Sequence, residues 1–313
     1  MGLHRLTGVT IGVPNLAATA RYYTDFGLTP LAGLPGDRRT FSTVDGGEQL
    51  TLVTTSRRRL LELGIGVDHE SDLDHIAASL TRLDLAFHRE EAALTALAPG
   101  VGVEVRLSIA KRSIPDPAPV PAYNAPGVNA RADERAPALL RESPVRPRKL
   151  GNVTIGSPVH EAGVRFFVEG LGFRVSDRVP GMTTFLRCSA DHHNLTIQKT
   201  PVAMLHHTSW QVDDVDEIGR GATAMLAGDP ARHVWGLGRH HIGSSFFWYL
   251  KDPAGNFTEY YADMDRIADD RRWTPRDWTG ARGLYSWGPP TPACFLSPDD
   301  LAELLSTADA VSG

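Results

Sequence analysis

The sequence predicts an α+β protein built from tandem βαβββ modules in two domains, and three observations carry that prediction. A block near the start recurs near the middle, short extended runs alternate with stretches of helical spacing, and a proline-rich segment separates the two copies.

The first element is a strand in each copy. Val9-Thr10-Ile11-Gly12 returns letter for letter as Val153-Thr154-Ile155-Gly156, and Pro14 returns as Pro158, all at an offset of 144. A helix follows, on the spacing of Ala17, Tyr22 and Tyr23 in the first copy and of Val164, Phe166 and Phe167 in the second. Each helix then turns at a glycine: Phe26-Gly27-Leu28 corresponds to Leu171-Gly172-Phe173, with one extra residue in the second copy. Further extended runs in the second copy, over 183–187, 195–198, 205–212 and 246–250, are broken by Asp, Gly and Pro clusters. Between the last two, the pair Asp213-Asp214 supplies a cap for a helix through Val215, Ile218 and Ala222. Its first-copy partner starts at Ser71-Asp72-Leu73 and continues through Ile76, Leu80 and Leu83. The final strand follows Ala98-Pro99-Gly100 in one copy, as Val103-Glu104-Val105, and Asp252-Pro253-Ala254-Gly255 in the other, as Phe257-Thr258-Glu259.

Residues 114–148 carry eight prolines and read as an irregular surface connector. The expected organisation is an N-terminal domain over 1–112, a linker over 113–148, a second domain over 149–264 and a C-terminal wrap over 265–313. In the wrap, Trp273, Trp278 and Trp287 supply large apolar groups for packing, and 301–305 form a short helix. At 313 residues, 42% apolar and 22% charged, the chain can bury two cores of ordinary size. A formal net charge of -5, with no basic stripe interleaved with aromatics, argues against a nucleic-acid partner. No apolar run approaches the roughly 20 residues that span a bilayer, and the first residues lack the apolar core of a signal peptide, so a cytoplasmic protein without membrane contact is expected. Cys188 and Cys294 stand 106 positions apart with no CxxC pairing, which indicates neither a disulfide framework nor a zinc-thiolate site.

The chemical signal is uneven histidine. Of twelve, seven fall between His192 and His241, as the pairs His192-His193, His206-His207 and His240-His241 with His233 between. A lone histidine is more often structural than a ligand, but three pairs within fifty residues of predicted strand shift that balance. Strand alternation puts His207, Ser209 and Gln211 on one side and His206, Thr208 and Trp210 on the other, so only one of His206 and His207 is expected to enter a given site. Glu259 alternates with Thr258 and Tyr260 on the last strand, flanked by apolar and aromatic residues. A half-buried carboxylate there costs several kcal/mol unless it is paired or binds a metal. The bland alternative is a Glu facing solvent. Imidazole and carboxylate donors with open positions left over suit non-haem Fe(II).

With these residues in place, the chain resembles the vicinal oxygen chelate (glyoxalase/bleomycin resistance) superfamily, and within it the two-domain type I extradiol dioxygenases of the 2,3-dihydroxybiphenyl 1,2-dioxygenase kind. The most specific stretches are Leu205-His206-His207 into Val212-Asp213-Asp214, and Gly238-Arg239-His240 through Phe247-Trp248-Tyr249-Leu250 to Asn256 and Glu259-Tyr260. The linker pieces Asn124-Ala125-Pro126-Gly127 and Asn129-Ala130-Arg131 add to them. The resemblance covers essentially the whole chain. It implies two open-barrel domains, a metal in the second and none in the first, where Gly8 stands at the place of a ligand. It also implies extradiol ring cleavage of a small catechol-type aromatic by O2, with Fe(II), or alternatively Mn(II), as cofactor, in a homo-oligomer. By the same resemblance His207 and Glu259 are metal ligands and His193 is the acid–base histidine, with His192 as its alternative. His240 and Tyr249 contact the substrate, and Trp210, Phe247 and His192 are candidates for lining its pocket.

One position departs from the family. Its first ligand is a histidine at the start of the strand where this chain has Asn152, a neutral amide that is a harder and usually weaker donor. Three outcomes stand open: Asn152 ligates the metal, a nearby histidine such as His193 replaces it, or the site is metal-poor. Two rival readings follow. One is a non-oxidative metal-assisted reaction of the isomerase or lyase type, and the other is an aromatic-ligand binding protein on the same scaffold.

Overall fold

The computed structural model describes residues 2–32 and 37–308, and its backbone forms two eight-stranded mixed sheets, one after the other along the chain. The first contains β1 (Leu3–Val13), β2 (Thr29–Pro30), β3 (Arg38–Ser42), β4 (Leu50–Thr54), β5 (Arg59–Val67), β6 (Phe87–Arg89), β7 (Ala93–Leu97) and β8 (Glu104–Ile109). Helices α1 (Leu16–Asp25) and α2 (Glu70–Arg82) follow β1 and β5. After a short helix α3 (Pro137–Leu140) in the linker, the second sheet contains β9 (Lys149–Ser157), β10 (Arg174–Val179), β11 (Thr183–Arg187), β12 (Leu195–Lys199), β13 (Met204–Gln211), β14 (His233–Arg239), β15 (Phe246–Lys251) and β16 (Phe257–Ala262). Helices α4 (His160–Arg165) and α5 (Val215–Gly228) follow β9 and β13.

Strand order is β2-β3-β4-β1-β5-β8-β7-β6 in the first sheet and β10-β11-β12-β9-β13-β16-β15-β14 in the second. The two orders are the same pattern. Each sheet is a pair of βαβββ modules in which the opening strand lies parallel to the last strand of its own module and antiparallel to the opening strand of the other. The α+β architecture predicted from the repeat is therefore present, as four modules in two sheets.

The extra residue of the second copy has a structural home. α1 runs directly into Phe26 and Gly27, at φ +98°, whereas α4 widens into a π turn over Phe166–Leu171 before Gly172, at φ +90°. A π turn takes up one inserted residue without unwinding the helix. Asp214 caps α5 as expected, its side chain accepting the Glu217 N–H.

The halves pack through aromatic residues of α1 and β16. Phe26 stacks on Tyr260 at 3.9 Å, the Tyr260 hydroxyl donates to the Phe26 carbonyl at 2.6 Å, and the Tyr22 hydroxyl meets Thr258. Because strand side chains alternate, anchoring Thr258 and Tyr260 to the first half turns Glu259 to the opposite face, into the second sheet's interior. Beyond β16 the chain wraps back over the second sheet, with α6 (Ala293–Leu296) and α7 (Leu301–Ala308) near its end. Phe295 of α6 is buried there, and Arg58 of the first half clamps Asp300. Among the described residues, no helix is long and apolar enough to cross a membrane.

Candidate metal centre

A cavity of about 360 Å³ opens inside the second sheet, and six of the nine candidate site residues line it: Asn152, His193, His207, His240, Tyr249 and Glu259. They come from six strands or their ends, which explains why no short motif announces the site. Asn152 lies on β9, His207 on β13, Tyr249 on β15 and Glu259 on β16, while His193 stands just before β12 and His240 just after β14. In register, Asn152 pairs with Ser209, Ser209 with Glu259, and Glu259 with Tyr249, so one row across four strands holds three of them.

Hydroxyl groups tie the row together. Ser209 donates to Glu259 Oε2, Thr154 meets His207 Nε2 at 3.0 Å, and the Asn152 amide N–H reaches both hydroxyls at 3.4 Å. Neither Thr154 nor Ser209 was singled out from the sequence. The β13 alternation that placed Ser209 beside His207 was the available signal for it.

The three candidates for lining the pocket, Trp210, Phe247 and His192, do not face the cavity. Trp210 is fully buried on the far side of β13, its indole N–H donating to Thr208 and its edge against Tyr23 of the first half. Phe247 is fully buried behind His240, ring on ring at 4.1 Å. His192 is fully buried behind His193, with its Nε2 on Asp177. The cavity's apolar wall comes instead from Phe185, Met182, Ile242 and, from the wrap, Leu296 and Phe295.

A second correction concerns His206. A bulge between Leu205 and His207 breaks the alternation of β13, so both imidazoles sit at the cavity, with Nδ1 facing Nδ1 at 2.7 Å. An irregular strand does not obey the period-two rule.

The outward hydrogen bonds determine the protons on these rings. The Phe295 carbonyl can only accept, so His206 donates from Nε2, at 2.7 Å. Burial lowers the His206 pKa to about 4, so the ring is neutral and its Nδ1 must accept from His207 Nδ1–H. Burial likewise holds His207 well below the usual histidine range, with His206 and His240 adding to the effect. Its Nε2 therefore presents a lone pair, 4.0 Å from Glu259 Oε2. His240 Nδ1 donates to the Leu284 carbonyl at 2.6 Å, and its Nε2 lies 2.9 Å from the Tyr249 hydroxyl and 3.6 Å from Glu259 Oε1.

An imidazole lone pair and a carboxylate face each other in a buried space, both electron-rich. That arrangement suits a cation between them, and a partner fixing the other ring nitrogen is what a metal-bound histidine requires. Among the described residues no three His, Cys, Asp or Glu side chains cluster as a metal site; the Asn152 side chain, which lines the same cavity, offers an amide oxygen as a neutral donor. That oxygen has one protein contact, Thr196 at 3.5 Å.

Comparisons with known proteins agree with this geometry. The model of the Glyoxalase/Bleomycin resistance protein/Dioxygenase superfamily matches residues 149–260, the stretch that carries Asn152, His193, His207, His240, Tyr249 and Glu259. Metapyrocatechase 2 of Cupriavidus necator is 31% identical over 308 residues, which covers 94% of this chain and 92% of that protein. An iron-dependent extradiol dioxygenase of Rhodococcus jostii (strain RHA1) is 26% identical over 154 residues, 44% of this chain and 50% of that protein. Among solved structures, a Mn(II)-bound glyoxalase from Novosphingobium aromaticivorans superposes with a TM-score of 0.75 at 25% identity, covering 93% of each chain.

Proposed function

The chain belongs to the two-domain extradiol dioxygenases of the Glyoxalase/Bleomycin resistance protein/Dioxygenase superfamily, and on that premise we propose that it cleaves a catechol-type ring with O2 at the cavity of its second half. The observation that carries this reading is the inward-facing pair of His207 Nε2 and Glu259, with a buried neutral histidine, His193, lining the same space. Relatives described as iron-dependent and manganese-dependent support Fe(II) or Mn(II) as the cofactor. His207, Glu259 and Asn152 are the residues that would hold it. Bound there, such an ion would supply Lewis-acid activation of a catechol and of O2.

The chain's own residues do the rest. Burial, reinforced by His192 and His240, keeps His193 well below the ordinary histidine range, so its ring is neutral at pH 7 and able to take a proton from a substrate hydroxyl. His193 Nδ1 is engaged by His192, which leaves Nε2 for that transfer. The Tyr249 hydroxyl and His240 form a fixed pair at 2.9 Å that orients the substrate oxygens. Phe185, Met182, Ile242 and Leu296 give a flat ring apolar walls and exclude water around it. At about 360 Å³ the cavity has room for one substituted ring, near the lower end of the range for small-molecule sites.

The deciding experiment is anaerobic reconstitution with Fe(II), measurement of bound metal, and admission of air in the presence of a panel of catechols. Metal near one per chain with appearance of the coloured ring-fission product is the expected result. Metal uptake with no oxygen consumed on any catechol would favour a second reading, a non-oxidative metal-assisted reaction. That reading draws on two observations: Asn152 in place of a charge-donating imidazole, and the superposition on a Mn(II)-bound glyoxalase. No metal uptake would favour an aromatic-binding protein.

A further inference from the structure

Of the four histidines that line the cavity, His193 is the one whose outward chain of contacts ends on a carboxylate. Asp177, on β10, is buried, and each of its hydrogen bonds comes from a donor. His192 Nε2 at 3.3 Å and the Trp278 indole N–H at 3.1 Å reach Oδ2, and the Arg276 backbone N–H reaches Oδ1 at 2.8 Å. Burial opposes charge on this carboxyl, but the bonds from His192, Arg276 and Trp278 outweigh it and hold the group below the usual carboxylate range. Asp177 is therefore ionised at neutral pH and can only accept.

The other face of His192 meets His193, Nδ1 to Nδ1, at 3.1 Å. The contact is enclosed. Trp273 stands edge-on to the His192 ring at 5.2 Å, while its own indole N–H donates to the Ser176 carbonyl at 2.9 Å. Gly243, at φ +76°, passes so close that a side-chain Cβ would lie 3.2 Å from His192 Nδ1 and 3.3 Å from His193 Nδ1. Trp273, Arg276 and Trp278 all belong to the C-terminal wrap, so that segment closes over the carboxylate and not over the cavity alone.

We propose that Asp177 and His192 are a positioning pair that fixes His193 with its proton on Nδ1, so that Nε2 enters the cavity as an unprotonated base. With one proton on each ring the order is forced. The carboxylate accepts from His192 Nε2–H, His192 Nδ1 then accepts in turn, and His193 must donate from Nδ1. It parallels the chain from the Phe295 carbonyl through His206 to His207, with a charged acceptor at its outer end in place of a neutral one. Its consequence for catalysis rests on the reading of His193 as the acid–base group of ring cleavage, whereas the placement of the proton does not.

The test uses full-length, metal-free protein labelled with ¹⁵N-histidine, in which long-range ¹H–¹⁵N spectra report the protonated nitrogen of each ring. Wild-type His193 is expected to carry its proton on Nδ1. Asp177→Asn keeps the shape and an acceptor for Arg276 but turns an N–H toward His192, which should move the His193 proton to Nε2. Asp177→Glu should return it to Nδ1. In the Fe(II)-loaded enzyme the asparagine variant should lose roughly 10- to 100-fold in kcat, with KM within about threefold and metal content unchanged. A wild-type His193 protonated on Nε2 would overturn the proposal, and so would an asparagine variant that leaves the tautomer in place. Should that variant fail to fold, the wild-type spectrum decides alone. The expected tautomers with no catechol cleaved would leave this pair standing and remove the ring-cleavage reading.

Discussion

The two halves of this chain share one topology and differ at the register positions that line the second half's cavity. Thr10 of β1 pairs with Glu62 as Thr154 of β9 pairs with His207, so Glu62 stands where the second half has His207. Gly64 pairs with Arg106 as Ser209 pairs with Glu259, and Arg106 pairs with Thr95 as Glu259 pairs with Tyr249. The first half thus holds Gly8, Glu62, Arg106 and Thr95 at the positions of Asn152, His207, Glu259 and Tyr249. Glu62 is pushed up by burial and by Glu104, with Arg106 acting the other way, and the Arg106 guanidinium reaches Thr95 and Glu90. A guanidinium at the position of Glu259 offers a cation no donor, whereas a carboxylate facing an imidazole lone pair offers two. The two halves keep the topology in common, and the donors a cation would need stand in the second half alone.

The most severe way to test that contrast is to give the second half the first half's residue. Glu259→Arg puts a cation where the carboxylate stands, and is expected to abolish metal uptake and cost about 10³-fold or more in activity, the several kcal/mol that a bound metal supplies. Metal analysis on the purified variant checks it, and a variant that still binds one ion per chain would break the comparison. Next in size is His193→Gln, which removes the neutral imidazole and leaves the row from Asn152 to Glu259 intact. A fall of about 10²- to 10⁴-fold in kcat with metal retained is expected, measured by turnover against metal content.

Asn152→His sharpens the contrast in the opposite direction. Imidazole in place of the amide should raise Fe(II) affinity by roughly 10- to 100-fold, on the scale of single-partner effects at metal sites. Competition with a chelator measures it. An unchanged affinity would move Asn152 out of the ligand set and leave His207 and Glu259 without a third protein donor on β9.

The sequence made the repeat, the clustered histidines and the inward Glu259 legible because each is a local pattern: an identical tetrapeptide, paired letters, and period-two alternation on a regular strand. Where local regularity failed, so did the reading. The bulge at His206 brought both histidines of a pair to the cavity, against strict alternation, and the π turn at 166–171 showed only as an unexplained extra residue. Edge strands such as β2, two exposed residues long, bury too little to leave a pattern. Phe295, Leu284 and Asp177, which fix the ring protons, lie up to 89 residues from the histidines they serve, and no spacing rule reaches that far. The misplaced pocket residues Trp210 and Phe247 have the same origin, since an aromatic on a strand buried on both faces lines a pocket or fills a core with equal ease.

The smallest expected effect is the one that tests whether the first half carries function at all. Arg106 is partly exposed, its ion pair with Glu90 spans 3.1 Å, and both side chains remain in reach of water. Pairs of that kind contribute about 0–1 kcal/mol. Arg106→Gln should therefore leave metal content unchanged, keep turnover within about twofold, and lower stability by less than about 1 kcal/mol. Thermal melts and steady-state rates on the same preparation give both numbers. A tenfold fall in turnover with the melting temperature unmoved would mean that the first half takes part in the reaction through a position with no contact to the cavity. In that case the two sheets would be partners in one site, in place of a scaffold and its active copy.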